Sequence, residues 1–158
     1  MNLDQQIQDL IDEAPQDGTT PTAMGAIAPV LSQIASRLKH SQYYIWQLLD
    51  QSWVITTLRN QAKPELEKTV VYAYADLKDA TTTNPSQFQD SQLVARPLPV
   101  IQLLFRTVSV TALDSLIFFD NPGNLARGTE IRRQEVQDLI ANQLQQALLN
   151  PQLPPDIA

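Results

Sequence analysis

Residues 115–123 have the sequence Ser-Leu-Ile-Phe-Phe-Asp-Asn-Pro-Gly, a largely apolar run that leads into a tight turn. A short run that is apolar on both sides of the chain is typical of a strand buried on both faces. Proline followed by glycine favours the two central positions of a type II turn. This stretch therefore predicts a central strand over Leu116–Phe119 and a reversal of the chain at residues 121–124.

The element predicted after this turn is a long helix that begins at Thr129. Its apolar positions recur every four residues, at Val136, Ile140, Leu144 and Leu148. This is the spacing of one face of a helix. Three prolines, at positions 151, 154 and 155, predict that the helix ends before a short tail.

Three segments upstream are rich in aromatic and β-branched residues, which favours strands. They are residues 43–49, 53–58 and 69–74, with a hairpin turn predicted at Asp50-Gln51-Ser52. A short helix at 76–80 and a polar loop at 81–92 follow. The prolines at 97 and 99 predict extended backbone over residues 93–99, because each restricts the residue before it. From Val100 the pattern fits either a helix or a continued strand.

Two helices are predicted before the first strand. Leu3, Ile7 and Leu10 recur at helical spacing opposite several carboxylates, which predicts a short amphipathic helix ended by Pro15. The second helix begins near Thr20 and includes Pro29, where we expect a kink or a break.

This order of elements predicts an α/β fold of the α+β type, with N-terminal helices followed by a small mixed sheet and flanking helices. Three parts are predicted along the chain: an N-terminal amphipathic helix at 1–15, a single α/β domain at 16–150, and a proline-rich tail at 151–158. The first helix could pack on its own domain or bind another chain, and both alternatives stay open.

Two motifs in the sequence are more specific than its general composition. Val71–Leu77 predicts a strand that leads into a short helix, and Leu116–Gly123 predicts an apolar strand that ends in an Asn-Pro-Gly turn. With their order along residues 43–145, these motifs resemble the N-terminal domain of the SseB-like family, named for enhanced serine sensitivity in bacteria. Ala75 stands where that family tends to have a hydroxylated residue. The resemblance implies the fold and no particular activity.

Composition excludes several classes of protein. The chain has no cysteine, a net charge of −6 and 11 cations that form no basic stripe, so nucleic-acid binding is unlikely. No apolar run approaches the roughly 20 residues of a membrane span. The N-terminus does not have the pattern of a signal peptide, and we expect a cytoplasmic protein. The scattered glutamines resemble the glutamine-rich composition of cyanobacterial proteins.

Residue types suited to catalysis are few. The single histidine, His40, is predicted at the end of the second helix, where the helix dipole favours a cation. Asp76 and Asp79 are predicted to lie on a solvated face of the short helix. The glycines match no phosphate-binding or dinucleotide-binding motif. We therefore expect no catalytic residue, no metal site and no cofactor.

Partner binding is the leading functional hypothesis. Arg127, Arg132 and Arg133 form the only local excess of cations and are predicted at the N-terminus of the last helix, where the fold gives no reason for them. Phe88 is a lone aromatic residue in the polar loop, and we assign it to the same role.

The aromatic residues Tyr43, Tyr44, Trp46 and Trp53 favour packing over a stacking platform for nucleic acid. The sequence predicts a non-enzymatic interaction, assembly or regulatory factor with a protein partner. Homo-oligomerisation is left open. The alternative is a small-molecule-binding regulator or an enzyme with an unrecognised site.

Overall fold

A computed structural model describes residues 3–13, 20–59, 62–63, 65–82 and 93–149. The helices are α1 Leu3–Glu13, α2 Thr20–Ala35, α3 Leu77–Thr82, α4 Val100–Thr107 and α5 Arg133–Leu149. The strands are β1 Gln42–Leu48, β2 Thr56–Arg59, β3 Glu67–Tyr74, β4 Leu93–Pro99, β5 Ser115–Phe119 and β6 Thr129–Arg132. Phe88 and the tail at 151–158 lie outside the described residues.

The strands form one mixed sheet in the order β4-β1-β3-β5-β6, and β2 pairs with β3 off this path. Only the β3–β5 pair is parallel, and the other pairs are antiparallel. This sheet, with its N-terminal helices, confirms the predicted α+β class. The strand predicted at Leu116–Phe119 is also confirmed as central, because β5 lies between β3 and β6.

Four helices, α1, α2, α4 and α5, pack on one face of the sheet. The main core between the helices and this face contains fully buried residues from both layers, among them Leu31, Ile45, Leu104, Leu116 and Phe118. Helix α2 runs without interruption through Pro29, so a break there is wrong. It ends at Ala35, five residues before His40.

Helix α1 is a part of this layer. Leu3, Ile7 and Leu10 pack against the main core, and the buried Gln6 links two other elements. Its side-chain amide donates to the carbonyl of Ser41 at 2.7 Å, and its oxygen accepts from the amide of Ile101 at 3.0 Å. The apolar side of α1 therefore packs on its own domain, which is the first of the two alternatives.

Two predicted elements differ from the observed ones because tertiary pairing overrides local pattern. The strand predicted at 53–58 is divided: the amide of Val54 bonds the carbonyl of Trp46 in β1 at 3.0 Å, and β2 then pairs with β3. The helix predicted from Thr129 begins at Arg133 instead, because residues 129–132 pair with β5 as β6. The residues from Val100 do form a helix, so the alternative of a continued strand is wrong.

Candidate functional site

The three arginines predicted to share a helix N-terminus lie in three different elements. Arg127 is exposed in the segment before β6, Arg132 is the last residue of β6, and Arg133 is the first residue of α5. Arg133 is half-buried and donates from Nε and Nη2 to the carbonyl of Val108, at 3.1 and 2.7 Å. That carbonyl lies just past α4, so Arg133 stabilises a helix end. The prediction that the fold has no need of this arginine is therefore wrong.

In the part of the chain that the structure describes, the face of the sheet opposite the four helices has little cover. Among the described residues, only the six-residue helix α3 and the segment 120–128 pack over it. Tyr74 and Phe119 are buried beneath them. We call the half-buried residues around these two the open face: Tyr44, Trp46, Tyr72, Ala95, Ile117 and Leu125.

Stacked rings give the open face its shape. Tyr72 and Tyr74 in β3 both stack on Phe119 in β5, with ring centroids 5.6 and 5.5 Å apart. The parallel β3–β5 register causes this, since it places Tyr72 beside Ile117 and Tyr74 beside Phe119. Residues two apart on a strand share one face. The aromatic rings therefore form a fixed row.

Helix α3 is attached to this face at defined points. The indole nitrogen of Trp46 donates to the carbonyl of Ala80 at 3.0 Å. Asp79 is buried, and both of its carboxylate oxygens accept from the amide of Gly123, at 2.9 and 3.2 Å. The prediction that Asp79 lies on a solvated face is wrong. Its carboxylate holds the turn after β5 and is not free for acid–base chemistry.

Two glycines determine the path of the segment 120–128. Gly123 has a φ of +82° and follows Pro122 in the turn, where the amide of Asn124 bonds the carbonyl of Asn121 at 3.0 Å. This matches the predicted type II turn. At Gly128 a Cβ atom would lie 2.5 Å from a methyl carbon of Ile117. Glycine there lets the backbone pass directly over the sheet.

The four aromatic residues of the β1 region separate to opposite sides of the sheet. Tyr43 is fully buried on the helix side, and Trp53 packs against the main core. Tyr44 and Trp46 belong to the open face. Packing explains all four positions, and they do not form one stacking platform.

His40 lies at the carboxyl end of β5, away from a helix end. Its Nε2 is 2.7 Å from the main-chain oxygen of Asp120, and its ring packs edge-on against Tyr43. The Tyr43 hydroxyl donates to the carboxylate of Asp120 and accepts from the amide of His40. Burial, together with the bond to Asp120, raises the pKa of Tyr43 well above its usual value. These groups bond to one another, so this cluster joins the α2–β1 loop to the end of β5.

A shallow hollow of about 370 Å³ lies beside the β2–β3 hairpin. Its lining residues are Leu58, Arg59, Leu66, Glu67 and Lys68. Leu66 is 53% exposed and Arg59 pairs with Glu67 at 3.0 Å, so the hollow is open to solvent. A site that buries a small ligand is normally enclosed, with convergent polar groups. The hollow does not have this form.

Two further properties concern the described part of the chain as a whole. No group of three or more His, Asp or Glu side chains there is arranged to hold a metal ion. No described helix combines the length and the apolar character that crossing a membrane requires.

Sequence alone would not have revealed the open face. Its signal was the aromatic alternation in β1 and β3, but which side the helices cover depends on the tertiary fold. The models of known protein families and the curated proteins compared with this chain gave no match. The resemblance to the SseB-like family therefore stays a prediction.

Proposed function

We propose that this chain is a non-enzymatic interaction factor, with an assembly or regulatory role, whose open face binds a partner protein. The observation that carries the proposal is the group of half-buried aromatic residues Tyr44, Trp46 and Tyr72, on a sheet face that the described residues of α3 and the segment 120–128 only partly cover. Contiguous apolar surface of this kind marks interaction sites. Tyrosine and tryptophan are also enriched at protein interfaces.

The charges around this face suit an acidic partner. Arg132 lies on β6 and Arg127 lies on the segment that crosses this face, and both are exposed, whereas Lys68 is paired with Glu130. The chain as a whole carries −6. Local positive charge on an acidic protein favours a partner with apolar side chains bordered by carboxylates. We assign this charge role to Arg127, and not to Arg133, which bonds the carbonyl of Val108.

A cytoplasmic location is part of this proposal, because a chain without cysteine suits a reducing compartment. The alternative proposal is a regulator or enzyme that binds a small molecule. The two make different predictions about what the folded protein retains during purification.

The experiment is co-purification from native extract with matched variants. Tyr44→Ser and Tyr72→Ser alter the open face, and Gln134→Ala alters an exposed residue of α5 on the other side as the control. We expect a stoichiometric protein to be retained by the wild type and by the control but lost from both tyrosine variants. Equal retention by all four proteins would refute the assignment to this face. A retained small molecule with no protein would favour the alternative.

The charge role has a separate test with the purified partner. Arg127→Gln should slow association at low salt and have little effect at moderate salt, because exposed charges act on association rate and are screened. The free energy of unfolding should not change, since Arg127 is exposed. An unchanged association rate at low salt would contradict this role.

A further inference from the structure

The two outer edges of the sheet, on β4 and β6, differ in their capacity to accept another strand. The amide of Val100 bonds the carbonyl of Ser41 at 2.9 Å. In the antiparallel β1–β4 pair, this bond determines which residues of β4 direct their N–H and C=O groups toward β1 and which direct them outward. By that alternation, the backbone groups of residues 93, 95, 97 and 99 point away from β1. Two of these residues are prolines and have no N–H to donate. The outer edge of β4 is therefore blocked.

Among the described residues, no strand pairs with the outer edge of β6 and no proline blocks it. The amide of Arg133 bonds the carbonyl of Asp114 at 2.9 Å, in line with the register that pairs Ser115 with Arg132. Backbone groups alternate between the two sides of a strand. Thr129 and Ile131 therefore bond toward β5, whereas the N–H and C=O groups of Glu130 and Arg132 point outward. Both residues are exposed, and β6 contains no proline.

A second copy of the chain fits this edge in one antiparallel register. If two β6 strands meet with Ile131 at a two-fold axis, Glu130 of each copy lies opposite Arg132 of the other. These are the residues with outward backbone groups, so the register makes four N–H···O=C bonds. It also makes two pairs of opposite charge, since directly opposite residues share a face. The same patch serves both copies, as a two-fold interface requires.

Two residues of the same chain contact one carboxylate oxygen of Glu130. Lys68 and Ser115 contact its Oε2 atom, and both lie on the open-face side of the sheet. A short charged edge normally prevents association. Here the positions of Glu130 and Arg132 favour this register over shifted ones, because any other antiparallel alignment of the two strands loses at least one Glu–Arg pair. The start of α5 at Arg133 limits the pairing to this short stretch.

We propose that this chain forms a two-fold dimer through antiparallel pairing of its β6 edges. The axis is perpendicular to the sheet, so the two six-stranded sheets become continuous and both open faces lie on the same side. Arg132 then pairs with Glu130 of the second copy, and Arg127 is the cation that borders each open face. This inference is independent of what the open face binds.

Charge exchange between two variants tests the register. In Glu130→Arg the edge has two arginines, and in Arg132→Glu it has two glutamates. Each variant alone should therefore remain monomeric by sedimentation velocity, at concentrations where the wild type is a dimer. An equimolar mixture should form a heterodimer, because every opposed pair is then Arg with Glu. The double variant Glu130→Arg/Arg132→Glu should restore the homodimer.

Two controls separate the edge from general charge and from folding. Arg127→Glu makes the same charge change as Arg132→Glu away from the edge, so it should dimerise as the wild type does. Glu130→Arg also places a cation beside Lys68, so its fold is checked by thermal melting. Arg132→Pro removes an outward N–H together with the arginine charge and leaves Glu130 intact. It should weaken the dimer at least tenfold.

A wild type that is monomeric at all concentrations would overturn the proposal. So would a dimer that Arg132→Glu and Arg132→Pro leave unchanged, or folded charge variants that stay monomeric when mixed. Loss of partner binding in the tyrosine variants of the open face, with an unchanged dimer, would confirm that the two surfaces are separate.

Discussion

Replacement of Gln6 should destabilise the protein far more than its position in the N-terminal helix suggests. Helix α4 begins with Pro99 as its N-cap, and no side-chain hydrogen bond caps it there. The amide of Val100 bonds the carbonyl of Ser41, and the amide of Ile101 bonds the side-chain oxygen of Gln6. Gln6 therefore caps a helix that lies about 95 residues further along the chain.

The magnitude follows from these contacts. In Gln6→Ala the amide of the fully buried Ile101 has no partner, which costs about 1–3 kcal/mol. Loss of the bond to the Ser41 carbonyl adds about 0.5–1.5 kcal/mol, because that group is partly buried. We expect a total loss of about 1.5–4.5 kcal/mol in the free energy of unfolding. Gln5→Ala, at an exposed neighbouring position, should change it by less than about 0.5 kcal/mol.

Urea unfolding followed by circular dichroism measures both variants, and hydrogen exchange measures the Ile101 amide directly. In Gln6→Ala this amide should exchange faster than in the wild type under conditions where the protein stays folded. If Gln6→Ala lost less than about 0.5 kcal/mol, with normal protection of Ile101, the cap would have no energetic role. The account of α1 as a fixed part of the core would then also be wrong.

Three further predictions concern the sheet. Phe118→Ala should cost about 3–5 kcal/mol in urea unfolding, because Phe118 is fully buried in the central strand; a loss below about 1 kcal/mol would contradict that position. Gly128→Ala should destabilise the protein by about 1–3 kcal/mol, because its Cβ would clash with Ile117. Gly25→Ala places its Cβ in open space on a helix and should stabilise slightly. Equal effects of the two variants would refute the close approach of the Gly128 backbone to Ile117. Hydrogen bonds from Lys68 and then Ser115 lower the pKa of Glu130 below its usual 4.5. Because the pKa of Glu130 is lower in the folded state, its ionised carboxylate stabilises the fold. This stabilisation is fully present above pH 4.5 and is lost as the pH falls through the folded-state pKa. The free energy of unfolding of Glu130→Gln should thus fall less than that of the wild type on acidification from pH 5. Parallel curves of this free energy against pH would exclude the stabilisation by Glu130.

The prediction of the candidate site had mixed success for a physical reason. Arg127 and Arg132 could be identified as cations on an acidic chain, because charge is a property of composition. The contact between Arg133 and Val108 joins α5 to the end of α4, and no local pattern indicates it. The same holds for Asp79, whose partner Gly123 is 44 positions away. Bonds of this kind depend on which elements the fold brings together.

The sequence by itself determined the α+β class, the central position of β5 and the turn at Gly123, because apolar periodicity, proline and glycine act locally. It also determined that α1 has an apolar side to bury. Only the tertiary structure decided where that side packs, that residues 129–132 pair as a strand, and which face of the sheet the helices leave open. Pairing with β5 satisfies the backbone groups of Thr129 and Ile131 and buries the Ile131 side chain, and this outweighs the helical spacing that begins in the same stretch.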